Sequence, residues 1–84
     1  MIKVLYFARL REALGVGSEQ LALPPNVRDL DGLRTLLAAR GGAWQHEFAG
    51  NGAVRAAVNQ SMADGETPVA DGDEVAFFPP VTGG

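Results

Sequence analysis

The stretch "FFPPVTGG", Phe77 to Gly84, holds the residues of this 84-residue chain best suited to chemistry. A carboxylate at Gly84 has no side chain on its α-carbon, and Gly83 behind it lets an extended backbone slide through a channel too narrow for any other residue. Pro79 and Pro80 fix φ and remove two ladder donors, so the chain leaves a sheet at this point instead of adding to it. From Pro79 to Gly84 the segment spans about 20 Å when extended. A free carboxylate is a poor acyl electrophile and must first become a mixed anhydride, an acyl-adenylate made from ATP by a partner. A sulfur nucleophile then gives a C-terminal thiocarboxylate, and a lysine amine gives an isopeptide.

Other constellations fall away. The chain has no cysteine, which excludes disulfides, thiolate metal cages and a thiol nucleophile. His46, the single histidine, lies near Trp44 in a stretch that reads as connector, so a surface or half-buried residue is expected and no metal site. Asp64, Glu66, Asp71, Asp73 and Glu74 lack the alternation and closing glutamate of a calcium loop and read as turn residues. "GVG" and "GNG" lack the lysine of a phosphate loop, and Ser18 and Ser61 have no histidine in a suggestive motif. No cofactor bound by this chain is expected. A net charge of -3 leaves no basic stripe for nucleic acid. The opening "MIKVLYFARLREALG" is interrupted by Lys3, Arg9, Arg11 and Glu12, too often for a signal core or a membrane span. A cytosolic protein without a membrane partner is expected.

The elements that must position the tail follow from hydrophobic periodicity. "IKVLYFA", Ile2 to Ala8, predicts a strand with Ile2, Val4 and Tyr6 on one face and Leu5 and Phe7 on the other. "RLREALG" is a short helical connector stopped by glycine, and "SEQLALP" a second strand ended by Pro24 and Pro25. Val27, Leu30, Leu33 and Leu37 form one stripe of the main helix, capped by Asn26 or Asp29 and ended by Gly41 and Gly42. Trp44 and Phe48 plug the end of the core. Asn51-Gly52 marks a turn before a strand with Val54, Ala56 and Val58 facing inward. Turns then fill the stretch to Asp73, and "EVAFFP" is the last strand, with Phe77 and Phe78 on opposite faces. A mixed sheet of four to five strands with one main helix on one face is an α+β domain. An early hairpin, a crossing helix and a final strand beside the first describe a ubiquitin-like β-grasp, with residues 1–78 as the single domain and 79–84 as a flexible tail.

One helix covers one sheet face, so Leu5, Phe7 and Phe78 should emerge on the other, joined by Met62. An apolar patch there predicts a protein partner. The competing arrangement turns Phe7 or Phe78 inward as ordinary core.

"DGDEVAFFPPVTGG", together with "AVNQ" (Ala57 to Gln60) and the opening "MIKVLYFA", resembles the small, sulfur-carrying subunits of molybdopterin synthase over the full length. The stretch from Val27 to Gly32 departs from the family pattern by being longer or more irregular. The resemblance implies that Gly84 is adenylated by a ubiquitin-activating-type adenylyltransferase, using ATP, and then receives sulfur from a donor protein as a thiocarboxylate. It implies that Pro80, Val81, Thr82 and Gly83 thread partner active sites. There the large synthase subunit passes the sulfur to cyclic pyranopterin monophosphate to build the dithiolene of the molybdenum cofactor. The assembly implied is a heterotetramer in which this chain is not itself the catalyst. Two other functions share the Gly-Gly ending: the sulfur carrier of thiamine synthesis, usually shorter and without the "FFPPVTGG" run, and a ubiquitin-like protein modifier.

Overall fold

The computed structural model describes residues 1–49 and 54–80. In chain order it contains β1 (Ile2–Tyr6), α1 (Ala8–Leu14), β2 (Ser18–Leu21), α2 (Leu30–Ala38), α3 (Gly42–Phe48), β3 (Arg55–Val58), β4 (Ser61–Ala63) and β5 (Glu74–Phe78). The strands form one mixed sheet in the order β2-β1-β5-β3-β4. β1 runs parallel to β5 and antiparallel to β2, and β3 is antiparallel to both β5 and β4. The last strand thus lies beside the first, as the β-grasp expectation requires.

Period-two alternation decides which side chains make the core. Ile2, Val4 and Tyr6 of β1, Ala56 and Val58 of β3, and Val75 and Phe77 of β5 point to one side and are buried. Leu10 of α1, Leu30, Leu33 and Leu37 of α2, and Phe48 of α3 pack into the same cluster, so all three helices lie on that side. Leu30, Leu33 and Leu37 form the expected stripe of α2, whereas Val27, expected on the same helix, lies before its first turn and joins the core from the preceding loop.

Asp29 is the cap that the sequence left undecided against Asn26. Its side chain accepts a hydrogen bond from the Gly32 N–H at 2.8 Å, satisfying one of the four donors that a helix start leaves unpaired. Leu33 N–H donates to the Asp29 carbonyl, and Leu30 and Asp31 donate to the carbonyls of Thr67 and Gly65. The loop after β4 thus completes the helix start. Gly32 has a reason to be glycine: a Cβ there would stand 3.3 Å from the Asp29 carboxylate and 3.4 Å from Val27.

Three local expectations need correction. β1 ends at Tyr6, not Ala8. The stretch with Trp44 and His46 is a helix, α3, not a connector: Gly41 and Gly42, at φ 79° and 55°, turn the chain back after α2 instead of ending all helical structure. Ser61–Ala63, read as turn, is the edge strand β4, joined to β3 by a hairpin whose two central residues, Asn59 and Gln60, sit at φ 49° and 70°. That is the backbone handedness a two-residue hairpin needs, and asparagine tolerates it well. The Asn59 side chain donates to Asp73 and accepts from the Glu74 N–H, both at 3.0 Å, fastening the turn to the start of β5. The expected Asn51-Gly52 turn lies outside the described residues.

Candidate functional site: the open sheet face and the root of the tail

The face opposite the helices carries Lys3, Leu5, Glu74, Ala76, Phe78, Arg55, Ala57 and Met62, placed there by strand alternation and register, with Ala57 itself nearly covered. The registers set Leu5 beside Ala76, Ala76 beside Ala57, and Ala57 beside Met62. Leu5 and Met62 therefore stand three strand spacings apart, about 14 Å, with a floor of two alanines between them. One end of this floor is apolar. There Phe7 follows β1, its N–H donating to the Phe77 carbonyl at 3.1 Å, one step past the Tyr6–Phe77 pairing. Phe78 lies next to it on β5, opposite Arg55 of β3. The other end is polar, with Lys3 between Gln20 and Glu74.

All four residues expected on this face are found there. Phe7 is 47% exposed and Met62 66%, both large for apolar side chains of a small domain. Leu5 and Phe78 are half-buried. Phe77, by contrast, is fully buried, so adjacent phenylalanines serve opposite faces. Ala57 and Ala76, on this face by the same alternation, make the floor between the larger side chains. Their alternation with Ala56, Val58, Val75 and Phe77 was the available signal.

β5 ends at Phe78, and Pro79 follows at the apolar end of the face. Val81, Thr82, Gly83 and Gly84, the threading and reacting residues expected from sequence, lie outside the described residues.

Beneath this end of the sheet the core is aromatic. Tyr6 meets Trp44 edge-on at 5.3 Å, and Phe48 meets Phe77 edge-on at 5.0 Å. The Tyr6 hydroxyl donates to Glu19 on β2 at 2.8 Å. Arg40 holds the same carboxylate through two hydrogen bonds of 2.8 Å and lies 4.4 Å over the Trp44 ring. Burial first, and then the hydrogen bond to Glu19, push the Tyr6 hydroxyl far above the ordinary tyrosine range. The Arg40 hydrogen bonds hold the Glu19 carboxyl below the usual carboxylate range, outweighing its partial burial. These groups are fully partnered on the helix side of the sheet and anchor β2 to the helix layer. They stand apart from the open face.

Among the described residues no group of three or more His, Asp or Glu side chains could hold a metal ion. His46 is exposed on α3. No described helix is long and apolar enough to cross a membrane.

The fold and its uncovered face define a ubiquitin-like β-grasp domain that covers one side of its sheet and leaves an apolar patch beside the point where its last strand ends. The family model described as the ThiS family matches residues 4–84. The molybdopterin synthase sulfur carrier subunit of Escherichia coli is 44% identical over 84 residues, spanning 100% of both sequences. A solved structure described as a putative molybdopterin converting factor subunit 1 from Pyrococcus furiosus is 34% identical, with a TM-score of 0.74 over 95% of this chain and 97% of that one. A chain from the complex of subunits 1 and 2 of the Helicobacter pylori molybdopterin-converting factor is 26% identical, with a TM-score of 0.67 over 99% of this chain and 97% of that one. The chain belongs to the ThiS family and, within it, to the molybdopterin synthase sulfur carrier subunits.

Proposed function

We propose that this protein is the sulfur-carrying small subunit of a molybdopterin synthase, and that Gly84 carries the sulfur. The observation that carries this reading is the 44% identity to the Escherichia coli sulfur carrier subunit over the whole of both sequences, FFPPVTGG included in the matched span.

The Gly84 carboxylate attacks the α-phosphate of ATP in an activating enzyme, releasing pyrophosphate and leaving an acyl-adenylate. A sulfur donor protein delivers sulfur at the sulfide level, which displaces AMP, the C–O bond to AMP breaking as the C–S bond forms, and the tail then ends in a thiocarboxylate. In the large subunit the thiocarboxylate sulfur displaces an oxygen substituent from a carbon of cyclic pyranopterin monophosphate, the C–O bond breaking as the C–S bond forms, and a second thiocarboxylated copy does the same at the neighbouring carbon. Water cleaves the resulting thioester, leaving sulfur on the product and a carboxylate on Gly84. Pro80, Val81, Thr82 and Gly83 lie along the entry channel, where only a slender chain passes. Substrate-binding and polarising groups belong to the large subunit, so this chain alone is a donor and not a catalyst.

The open face supplies the docking surface. Leu5, Phe7, Met62 and Phe78 each contribute about 1.5–3 kcal/mol on full burial, which offsets much of the roughly 4–15 kcal/mol lost on association. The complex of subunits 1 and 2 known from Helicobacter pylori supports a large-subunit partner for this chain. The heterotetramer and the cytosolic setting belong to the same proposal.

Reconstitution tests it. Purified large subunit, cyclic pyranopterin monophosphate and this chain bearing a chemically made C-terminal thiocarboxylate should yield the dithiolene product, and the unmodified chain should yield none. Equal product from both forms would remove Gly84 from the chemistry.

A further inference from the structure

We propose that Arg55 is a specificity-determining contact in the docking just described, an exposed guanidinium that pairs with a carboxylate on the large subunit at the rim of the channel that receives the tail. The inference rests on the proposed function and deepens it.

Arg55 opens β3 and sits directly opposite Phe78 in the antiparallel β3–β5 register, on the uncovered face. It is exposed, whereas Ala56 beside it is fully buried. Its place is therefore at the apolar end of the face, one residue from where Pro79 takes the chain out of the sheet. Arg40 and Arg9 are held by Glu19 and Glu47, but Arg55 has no ion-pair partner among the described residues. The residue that follows in the β3–β4 register, Asp64, does not fill that role. Its carboxylate accepts from the Glu66 N–H at 3.0 Å and from the Thr67 hydroxyl at 3.3 Å, closing its own turn.

A charge in this position does little for the fold and much for recognition. The chain is acidic overall, with a net charge of -3, so a partner complementary to it as a whole would be basic. Arg55 instead places a guanidinium on this end of the open face, next to an aromatic side chain that is itself expected to be covered. Charges at an interface rim act mainly on association rate and partner choice, and a guanidinium matches a carboxylate with two parallel hydrogen bonds. The other open-face cation, Lys3, is flanked by Glu74 and lies at the polar end, away from the tail. A partner carboxylate beside the channel mouth would thus set the register in which the tail enters.

The test is titration calorimetry of the purified large subunit with the wild-type chain, Arg55→Ala, Arg55→Lys and Arg55→Glu, each at low and at high salt. Low salt should show binding about 5-fold weaker for Arg55→Ala, at least 10-fold weaker for Arg55→Glu and intermediate between wild type and Arg55→Ala for Arg55→Lys, which keeps the charge but not the paired hydrogen bonds. High salt should narrow those differences, a response that lost packing would not give. Thermal midpoints should agree among wild type, Arg55→Ala and Arg55→Lys, because the side chain is exposed. Arg55→Glu binding as tightly as wild type at low salt would overturn this assignment while leaving the proposed function standing. Failure of the wild-type chain to bind the large subunit at all would overturn both.

Discussion

Tyr6 and Phe77 lie side by side in the parallel register of β1 and β5, their ring centroids 6.2 Å apart and their planes within 13° of parallel. The next residue on each chain points the other way, so a buried aromatic pair supports an accessible one, Phe7 and Phe78. The root of the tail therefore stands on the aromatic part of the core, with the docking side chains on its far surface.

Tyr6→Phe removes only the hydroxyl that donates to Glu19 and leaves Arg40 in place on the same carboxylate. The expected cost is about 1.5–3 kcal/mol of unfolding free energy, the usual worth of a hydrogen bond to a charged group. Urea denaturation measures it, and affinity for the large subunit should stay unchanged.

Tyr6 is the single tyrosine, so its ionisation can be read by ultraviolet absorbance without interference. The folded state raises its pKa, mainly by burial, so the stability it contributes is complete below about pH 10 and is lost as the pH rises above that value. Tyrosinate absorbance should appear together with loss of helical circular dichroism. A native protein that ionises Tyr6 near pH 10 would contradict its placement in the core.

Glu19 shows the opposite sign. Arg40 lowers its folded pKa, so its contribution is present above the ordinary carboxylate range and disappears as pH falls below about 4.5. Glu19→Gln should be less stable than wild type at neutral pH and should approach it between about pH 5 and 3, as paired denaturation curves would show.

Asp29→Ala removes the side-chain cap at Gly32 and should cost about 1 kcal/mol in a thermal or urea melt. Asn26→Ala should cost little, since Asn26 is exposed and outside the cap.

Phe78→Asp and Phe7→Asp put a carboxylate into the apolar end of the open face. Binding to the large subunit should weaken by at least about 10-fold in each case, because one hydrophobic contact is lost and a charge is desolvated. Unaltered affinity by calorimetry would place docking elsewhere on the domain.

Much of this was legible in the sequence because alternation is a direct consequence of strand geometry. Ile2, Val4 and Tyr6 separated from Leu5 and Phe7 on that basis alone, as did Phe77 from Phe78. The choice of cap was not legible, since Asn26 and Asp29 are both good acceptors, and only the loop carbonyls of Gly65 and Thr67 show where the first turn starts. α3 was hidden because Gly41 and Gly42 signal a stop, yet here they make a corner between two helices. β4 was hidden because three residues are too few to show a period, and its pairing depends on β3 across the sheet. The exposed patch was legible as a set of residues, and alternation also puts Ala57 and Ala76 on that face, but their place as a floor between Leu5 and Met62 depends on the cross-strand register.

The intact mass of the protein isolated from its own cells tests the central claim most directly. A carrier should contain a fraction heavier by the exchange of one oxygen for sulfur, localised to Gly84 by fragmentation and lost on incubation with the large subunit and its pterin substrate. Finding only the unmodified mass under active cofactor synthesis, or a ladder of masses from isopeptide-linked conjugates in its place, would contradict the account.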